Sequence, residues 1–430
     1  MKWFYKLNQY REVIEPANWF NTRVTAVILV QVKEISVAKW LLYAGLVFCF
    51  GILPIGSQAQ EKDAKKNKSF LSNLDSLRVA QLEFGRSRFT PFIAPSYSPE
   101  LEVLISAGGL FTFTMQKDNP ILERSSIPFS VGISSNGSIQ ISGKLTLYGK
   151  DDKNRGIGEF WLKDMPDNYW GVGYDNGRNR EISDSTTAYQ RKWWKFYYKL
   201  VHRFSKNIFA GGIIDFNKTI ATELNPLMEM DPAINEFGTE IRNSGLGFAV
   251  QYDSRDLIVN AYEGVLVDFS TIFYGRFLGG EQNYQAIELD YRQYENMGKE
   301  RRTLAWQVKI RNTFGDAPWP ELSQFGTPFD LRGYRWGRFR DKAMVFGLLE
   351  YRHMFNRKKP NKKGSLKSRS GFTAWAGTGS MGANATEYKQ WLPNLGVGYR
   401  FETQPRMNVR IDYGFGVDSN AIYVTFNEAF

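Results

Sequence analysis

Side chains able to do chemistry are scarce in this chain. Nucleophilic catalysis needs a nucleophile, a base and an orienting group held together, and only two histidines occur, His202 and His353. His202 stands beside a tight turn in Lys199-Leu200-Val201-His202-Arg203, and His353 at a strand end in Tyr351-Arg352-His353-Met354. Neither has a Ser or Asp in a catalytic spacing, and packing at an interface accounts for both. No P-loop, zinc-ligand spacing or calcium loop occurs, and the glycines of 377–382 read as strand and turn glycines. The residues assign no catalytic site, no metal and no cofactor. The chemistry that remains is ionic. Asp253-Ser254-Arg255-Asp256 reads as an Asp-rich turn whose carboxylates cap backbone amides, while Lys144, Glu288, Asp290, Lys309 and Arg311 would line a wet channel.

The elements that must carry these charges show in the hydropathy pattern. The chain has 430 residues, 43% of them hydrophobic, with 22 Tyr, 32 Phe and 12 Trp. A helical membrane protein would need several apolar runs of about twenty residues, and one run alone, 40–55, approaches that length. Lys33 and Lys39 precede it, and Ser57-Gln58-Ala59 puts small residues where a signal peptidase inspects the chain. Residues 1–59 are therefore expected to be a secretory signal, with an uncleaved anchor as the competing reading. Residues 1–36 exceed a normal charged leader, as an overextended start would leave. Cys49, the single cysteine, falls inside this segment, so the exported chain would hold no disulfide and no thiolate ligand. The net charge of +11 would suit nucleic acid or anionic lipid, but export excludes nucleic acid. Residues 60–90, with Lys62, Lys65, Lys66 and Lys68, read as a short periplasmic linker in which Phe70, Leu74 and Leu77 have helical spacing.

From residue 91 the pattern has period two. Ile139, Ile141, Leu145 and Leu147 alternate with Gln140, Ser142, Lys144 and Thr146. Leu304, Trp306, Val308 and Ile310 oppose Gln307, Lys309 and Arg311. Gln285, Ile287, Leu289 and Tyr291 alternate less cleanly with Ala286, Glu288, Asp290 and Arg292. Val409, Ile411, Tyr413 and Phe415 alternate with Arg410, Asp412, Gly414 and Gly416. Successive strand side chains point to opposite faces, and an apolar, aromatic-tipped face backed by a charged one suits lipid outside and a wet lumen inside. The fold class expected for 91–430 is all-β, a transmembrane antiparallel β-barrel in the outer membrane of a Gram-negative envelope. About 14 to 18 strands fit at about ten residues each, and sixteen is the number adopted. Tight joints at 135–137 and 205–207 and long ones at 174–192, 216–243, 312–342 and 356–370 suggest short turns on one rim and long loops on the other. Ile422, Val424, Phe426 and Phe430 are expected on one strand face, with Glu428 breaking it. Phe426 and Phe430 resemble the C-terminal sorting signal of outer-membrane barrels.

Three stretches resemble the BamA/TamA superfamily, the bacterial surface antigen family. Tyr252-Asp253-Ser254-Arg255-Asp256 followed by Glu263-Gly264 is similar to its periplasmic "YDTRD…P…G" turn, without the usual Pro, and gives Asp253, Arg255, Asp256 and Gly264 as motif residues. Phe325-Gly326, Asp330-Leu331-Arg332-Gly333-Tyr334 and Gly337-Arg338-Phe339-Arg340-Asp341, then Glu350-Tyr351-Arg352, resemble its long external loop and the strand after it. Pro393 to Arg400 and Arg410 to Gly414 resemble its closing strands, and Pro166 to Gly173 an early segment. The resemblance implies that the long loop folds back into the lumen with Leu331, Arg332, Gly333 and Tyr334 at its tip, Arg332 paired with acidic wall residues. A guanidinium in a confined pore needs a bidentate acidic partner, and Glu350 and Asp412 fall on polar strand faces. The family places an Asp in an "F-x-D-x-G" strand where this chain has Trp375-Ala376-Gly377-Thr378-Gly379, so the acid lies elsewhere or the loop is held less firmly. Residues 60–90 are too few for a POTRA domain, which implies a barrel-only member.

What the resemblance implies is insertion or translocation of proteins at the outer membrane, with lipid, client proteins or subunits of an outer-membrane complex as partners. The competing reading is a passive channel or a structural accessory subunit. An enzyme is not expected.

Overall fold

The structure is a computed structural model that describes residues 87–430 apart from 117–121, 184, 299–300, 358–366, 389 and 405. The expected signal segment 1–59 with its overextended start, the basic run and the helical spacing at Phe70, Leu74 and Leu77 lie outside the described residues.

The alternating segments form strands. In chain order they are β1 (Arg88–Ser98), β2 (Glu102–Phe113), β3 (Ser125–Ser134), β4 (Ile139–Tyr148), β5 (Asn154–Asn168) and β6 (Ala188–Ser205). There follow β7 (Ile208–Thr222), β8 (Glu240–Asp253), β9 (Gly264–Tyr274), β10 (Tyr284–Asn296) and β11 (Arg302–Gly315). A two-residue ribbon, β12 (Ser323–Gln324) with β13 (Arg340–Asp341), sits within the loop 316–342. The chain closes with β14 (Ala343–Asn356), β15 (Lys367–Gly382), β16 (Leu392–Gln404), β17 (Met407–Gly416) and β18 (Ser419–Phe426).

Among the described residues, sixteen strands, all but β12 and β13, make one closed antiparallel barrel. Closure is the one way a sheet satisfies its backbone in lipid. Neighbours in the barrel are neighbours in sequence except at β11–β14, where the ribbon-bearing loop intervenes, and at β1–β18, where the ring shuts. That last ladder is short. Its register is Tyr97↔Val424 alone, whereas β1 pairs with β2 along its whole length, Arg88↔Thr112 to Ser98↔Glu102.

Side-chain alternation sets inside from outside. Arg410 and Asp412 of β17 are fully buried, while Ile411, Tyr413 and Phe415 between and beyond them are exposed on the outer wall. Leu289, Val308 and Ile141 are likewise outward. The core is the lumen itself. Phe325, Leu331, Tyr334 and Phe339 of the loop pack there against Phe346, Leu348, Trp375 and Met381 of the wall. A second cluster gathers loops 169–187, 223–239 and 316–342 around Trp319, with Tyr169, Tyr189, Met228, Ile234 and Ile241. Two short helices in it, α1 (Pro226–Met230) and α2 (Pro232–Phe237), start on Asn225 and Asp231, whose side chains accept from Met228 N at 2.9 Å and Ala233 N at 2.9 Å.

Two expectations need correction. Loop length does not sort the rims. The tight joint 135–138 shares its rim with the long loops 169–187, 223–239 and 316–342, whereas β14 ends and β15 begins on the opposite rim, that of the tight 206–207. Each strand crosses the wall once, so the rim of a joint follows the parity of the strands before it, and three strands separate 135–138 from 206–207. Strands β6 and β7 also begin earlier and run further than the loop bounds 174–192 and 216–243 allowed. The second correction is Phe430. Strand β18 ends at Phe426, Asn427 takes a positive φ of 65°, and the chain turns inward. Phe426 stays on the outer wall, while Phe430 is buried in the lumen against Tyr294, ring centroids 6.3 Å apart. Glu428 is therefore a luminal residue and not an interruption of the outer face.

Candidate functional site

The alternation of β14 and β17 points Glu350 and Asp412 into the lumen, and the loop 316–342 brings Arg332 to them. Arg332 Nη2 donates to Glu350 Oε2 at 2.5 Å, and Nη1 to Asp412 Oδ2 at 2.7 Å. The guanidinium also sits over Trp375, 3.6 Å from the ring centroid. Arg332, Glu350 and Asp412 are all fully buried. Trp375 and Gly377 are two residues apart on β15, so the ring occupies the wall where the family strand has its Asp nearby, and the acids come from β14, the neighbour on one side, and β17, two strands away on the other.

Sequence reasoning missed the rest of the cluster. Glu350 also accepts from Arg352 Nε at 2.8 Å, and Asp412 from Arg410 Nη1 at 2.9 Å and Arg400 Nη1 at 2.5 Å. Arg400 Nε reaches Glu428 at 2.9 Å, and Arg352 Nη2 donates to the main-chain oxygen of Phe430 at 2.9 Å. A signal was present: Arg352 and Arg410 each stand two residues from an acid, hence on the same face. Four guanidinium groups thus share three carboxylates. A buried pair repays its desolvation only with such geometry and added hydrogen bonds, and the cost of breaking it falls on whichever charge is left behind.

The backbone of the tip is seated as firmly as the side chain. Gly333 has φ 115°, and a Cβ on it would stand 2.7 Å from the carbonyl carbon of Gly414. Gly333 N donates to Tyr423 Oη at 3.1 Å, and Asn394 Nδ2 donates to the Arg332 carbonyl. Tyr334 Oη donates to Pro393 O at 2.7 Å and accepts from Val417 N at 3.0 Å. Leu331 is fully buried beneath, against Gly379 of β15. Ahead of the tip, Asp330 accepts from Gly326 N at 2.8 Å and Thr327 N at 3.0 Å, and burial raises its carboxyl above the usual range against those bonds. Beyond the tip the loop crosses the seam: Arg335 Nη1 donates to Pro99 O at 2.8 Å and Trp336 N to Glu100 Oε1 at 3.0 Å.

The other motif forms the joint 254–263 on the opposite rim. Asp253 accepts from Arg255 Nε at 2.9 Å and Arg155 Nη1 at 2.7 Å. Asp256 caps Tyr262 N at 2.9 Å and takes Arg406 Nη1 of the β16–β17 joint at 2.7 Å. Gly264, φ 107°, is pressed on this turn, since a Cβ there would lie 2.4 Å from Ser254 O. Gly264→Ala is expected to cost about 1–3 kcal/mol through the forced backbone conformation, read as a lower urea midpoint of the folded, heat-modifiable band on cold gels.

Comparison with known proteins follows from this geometry. The crystal structure of BamA from Haemophilus ducreyi lacking POTRA domains 1–3 superposes with a TM-score of 0.52 at 13% identity, over 80% of this chain and 70% of that one. CdiB from Acinetobacter baumannii gives 0.47 at 12% identity, over 79% of this chain and 59% of that one. No curated protein matches. At such identities the likeness concerns the fold. The Omp85 superfamily domain, however, matches residues 158–421, more than half of the chain, and the protein is an outer-membrane β-barrel belonging to the Omp85 superfamily.

Proposed function

We propose that this barrel inserts or translocates proteins at the outer membrane through the seam between β1 and β18. The observation that carries the reading is the β1–β18 ladder, which amounts to Tyr97↔Val424. Below that pair, β1 from Arg88 to Ala94 is paired on that side with no strand among the described residues. An open edge offers main-chain donors and acceptors in register for an incoming strand, which is how β-augmentation binds a client. Omp85 barrels act as transporters or insertases, and the loop tip on β16–β18 plus its contacts with Pro99 and Glu100 would hold the seam shut at rest. Leu331, Arg332, Gly333 and Tyr334, with Glu350 and Asp412, form the luminal lock in this reading. The joint at Asp253, Arg255, Asp256 and Gly264 braces the periplasmic rim, and Phe426 presents an aromatic to the outer wall.

Cysteines at Tyr97 and Val424 test the seam. Residues paired across a ladder are close enough for a disulfide, and no cysteine competes within 87–430. In proteoliposomes, the oxidised pair is expected to stop insertion of an unfolded eight-stranded barrel client, and reductant to restore it. Undiminished insertion with the seam locked would favour the passive channel or accessory role.

A further inference from the structure

The shortness of the β1–β18 ladder has a cause in the sequence of β1, Arg88-Phe89-Thr90-Pro91-Phe92-Ile93-Ala94-Pro95-Ser96-Tyr97-Ser98, which holds two prolines. The direction in which their main chain faces follows from β2. Val103 stands opposite Tyr97. It donates its N–H to Ser135 Oγ at 3.3 Å and accepts at its carbonyl from Ser135 N at 2.9 Å, so both groups turn to the β3 side. Two residues opposite each other in an antiparallel pair turn their N–H and C=O either toward one another or both away. Tyr97 therefore turns its main chain to β18, and with it goes every second residue of β1: Phe89, Pro91, Ile93 and Pro95.

Proline has no N–H to give a ladder, and strands tolerate it where that side is an edge. Along the seam, β1 thus offers five carbonyls but three N–H groups, those of Phe89, Ile93 and Tyr97. The register of Tyr97↔Val424 brings Pro95 opposite Phe426, the position of the next reciprocal pair. There the Phe426 carbonyl finds no donor on β1. Strand β18 ends at this residue, and Asn427 takes its left-handed turn while donating N–H to Asn408 O of β17 at 2.7 Å. The strand leaves its partner where the partner stops donating.

We propose that Pro95 sets the strength of the β1–β18 closure by holding it to one reciprocal pair, and that Pro91 acts likewise on any longer strand that takes the place of β18. A strand laid along the whole of β1 is held by its own N–H groups on five carbonyls and leaves two of its carbonyls unanswered. In lipid such a carbonyl has no water to turn to, so the edge takes up a strand and also lets it go. Proline blunts exposed sheet edges in this way. The release of a client strand rests on the seam as the insertion route; the limit on closure does not.

The test is hydrogen–deuterium exchange of the protein in lipid nanodiscs, read over the β18 amides. Pro95→Ala gives Phe426 a donor and is expected to slow that exchange roughly three- to tenfold, the worth of one hydrogen bond. Pro95→Val serves where the alanine variant fails to fold. Pro91→Ala makes the same change beyond the end of β18 and should leave the exchange as it is. Unchanged exchange in the Pro95 variants overturns the proposal, and so does an equal slowing by Pro91→Ala, which would reduce the effect to proline stiffness. In proteoliposomes, Pro91→Ala is expected to keep an eight-stranded client bound to the barrel for longer, and a wild-type lifetime overturns the part assigned to Pro91. Slower exchange in Pro95→Ala with unaltered insertion would uphold the limit on closure and sink the insertion route. Unaltered exchange, with insertion still stopped by a disulfide between the positions of Tyr97 and Val424, would do the reverse.

Discussion

Replacing Arg332 with alanine is expected to turn a small, flickering conductance into a large, steady one, and to destabilise the barrel by roughly 3–5 kcal/mol. Both effects have one cause. The guanidinium spans Glu350 and Asp412 from a position with no access to solvent. Its removal leaves those two acids to Arg352, Arg400 and Arg410, which already hold them, and deletes the only charge that the loop itself supplies to the cluster. Leu331, Tyr334 and the backbone bonds to Tyr423 and Asn394 then hold the tip with no ion pair, and the loop leaves the lumen more readily. Planar-bilayer recordings on residues 60–430 read the first effect and urea titration the second. Arg332→Lys should fall between, since a point charge cannot serve two carboxylates and stack on Trp375 at once. A wide, steady pore in the wild type, unaffected by the change, would show that the loop is not a lid.

Gly414→Ala should open the lumen without touching a charge. A Cβ at Gly414 would lie 2.3 Å from the Arg332 carbonyl oxygen and 2.5 Å from its carbon, both backbone atoms that no rotamer can move. The tip must lift from the wall, which stretches the bonds from Arg332 to Glu350 and Asp412 while every ionic partner remains present. Overpacking of this kind costs about 1–3 kcal/mol, and the conductance should rise in the same direction as for Arg332→Ala. In the double variant the two losses should add to less than their sum, because each removes the same seat. A wild-type conductance in Gly414→Ala would place the tip elsewhere on the wall.

Much of this was legible in the sequence because a β-barrel repeats one simple rule. Period two in β4, β11 and β17 assigned Ile141, Val308 and Ile411 to the outside and Asp412 to the inside, and the strand number followed from length. What the pattern could not carry was anything set by the path between strands. The joint 135–138 and the β14–β15 connection fell on the wrong rims because rim depends on counting every earlier strand, and a joint's length says nothing of that count. Phe430 was misplaced because alternation extrapolates a strand until something stops it. The stop is a single left-handed residue, Asn427, and period two has no term for it. The acids for Arg332 could be anticipated on the faces of their strands. Trp375 could not, because a ring under a guanidinium leaves no signature in charge.

The guanidinium–carboxylate cluster also bears on the order in which the barrel assembles. All of its members lie between Arg332 and Phe430, on the loop, β14, β16, β17 and the inward-turned tail. It can be completed before the first eleven strands, β1–β11, have reached it. Those earlier strands pair with their sequence neighbours, and joining near neighbours costs little chain entropy. Bringing β1 to β18 joins the two ends of the barrel, the most expensive loop to close, for a single ladder pair. Local pairings precede distant ones when chain entropy sets the pace. The C-terminal third is thus built to become rigid early, as a half-shell nucleated by its own buried charges. Ring closure comes last, and it is the step most easily undone.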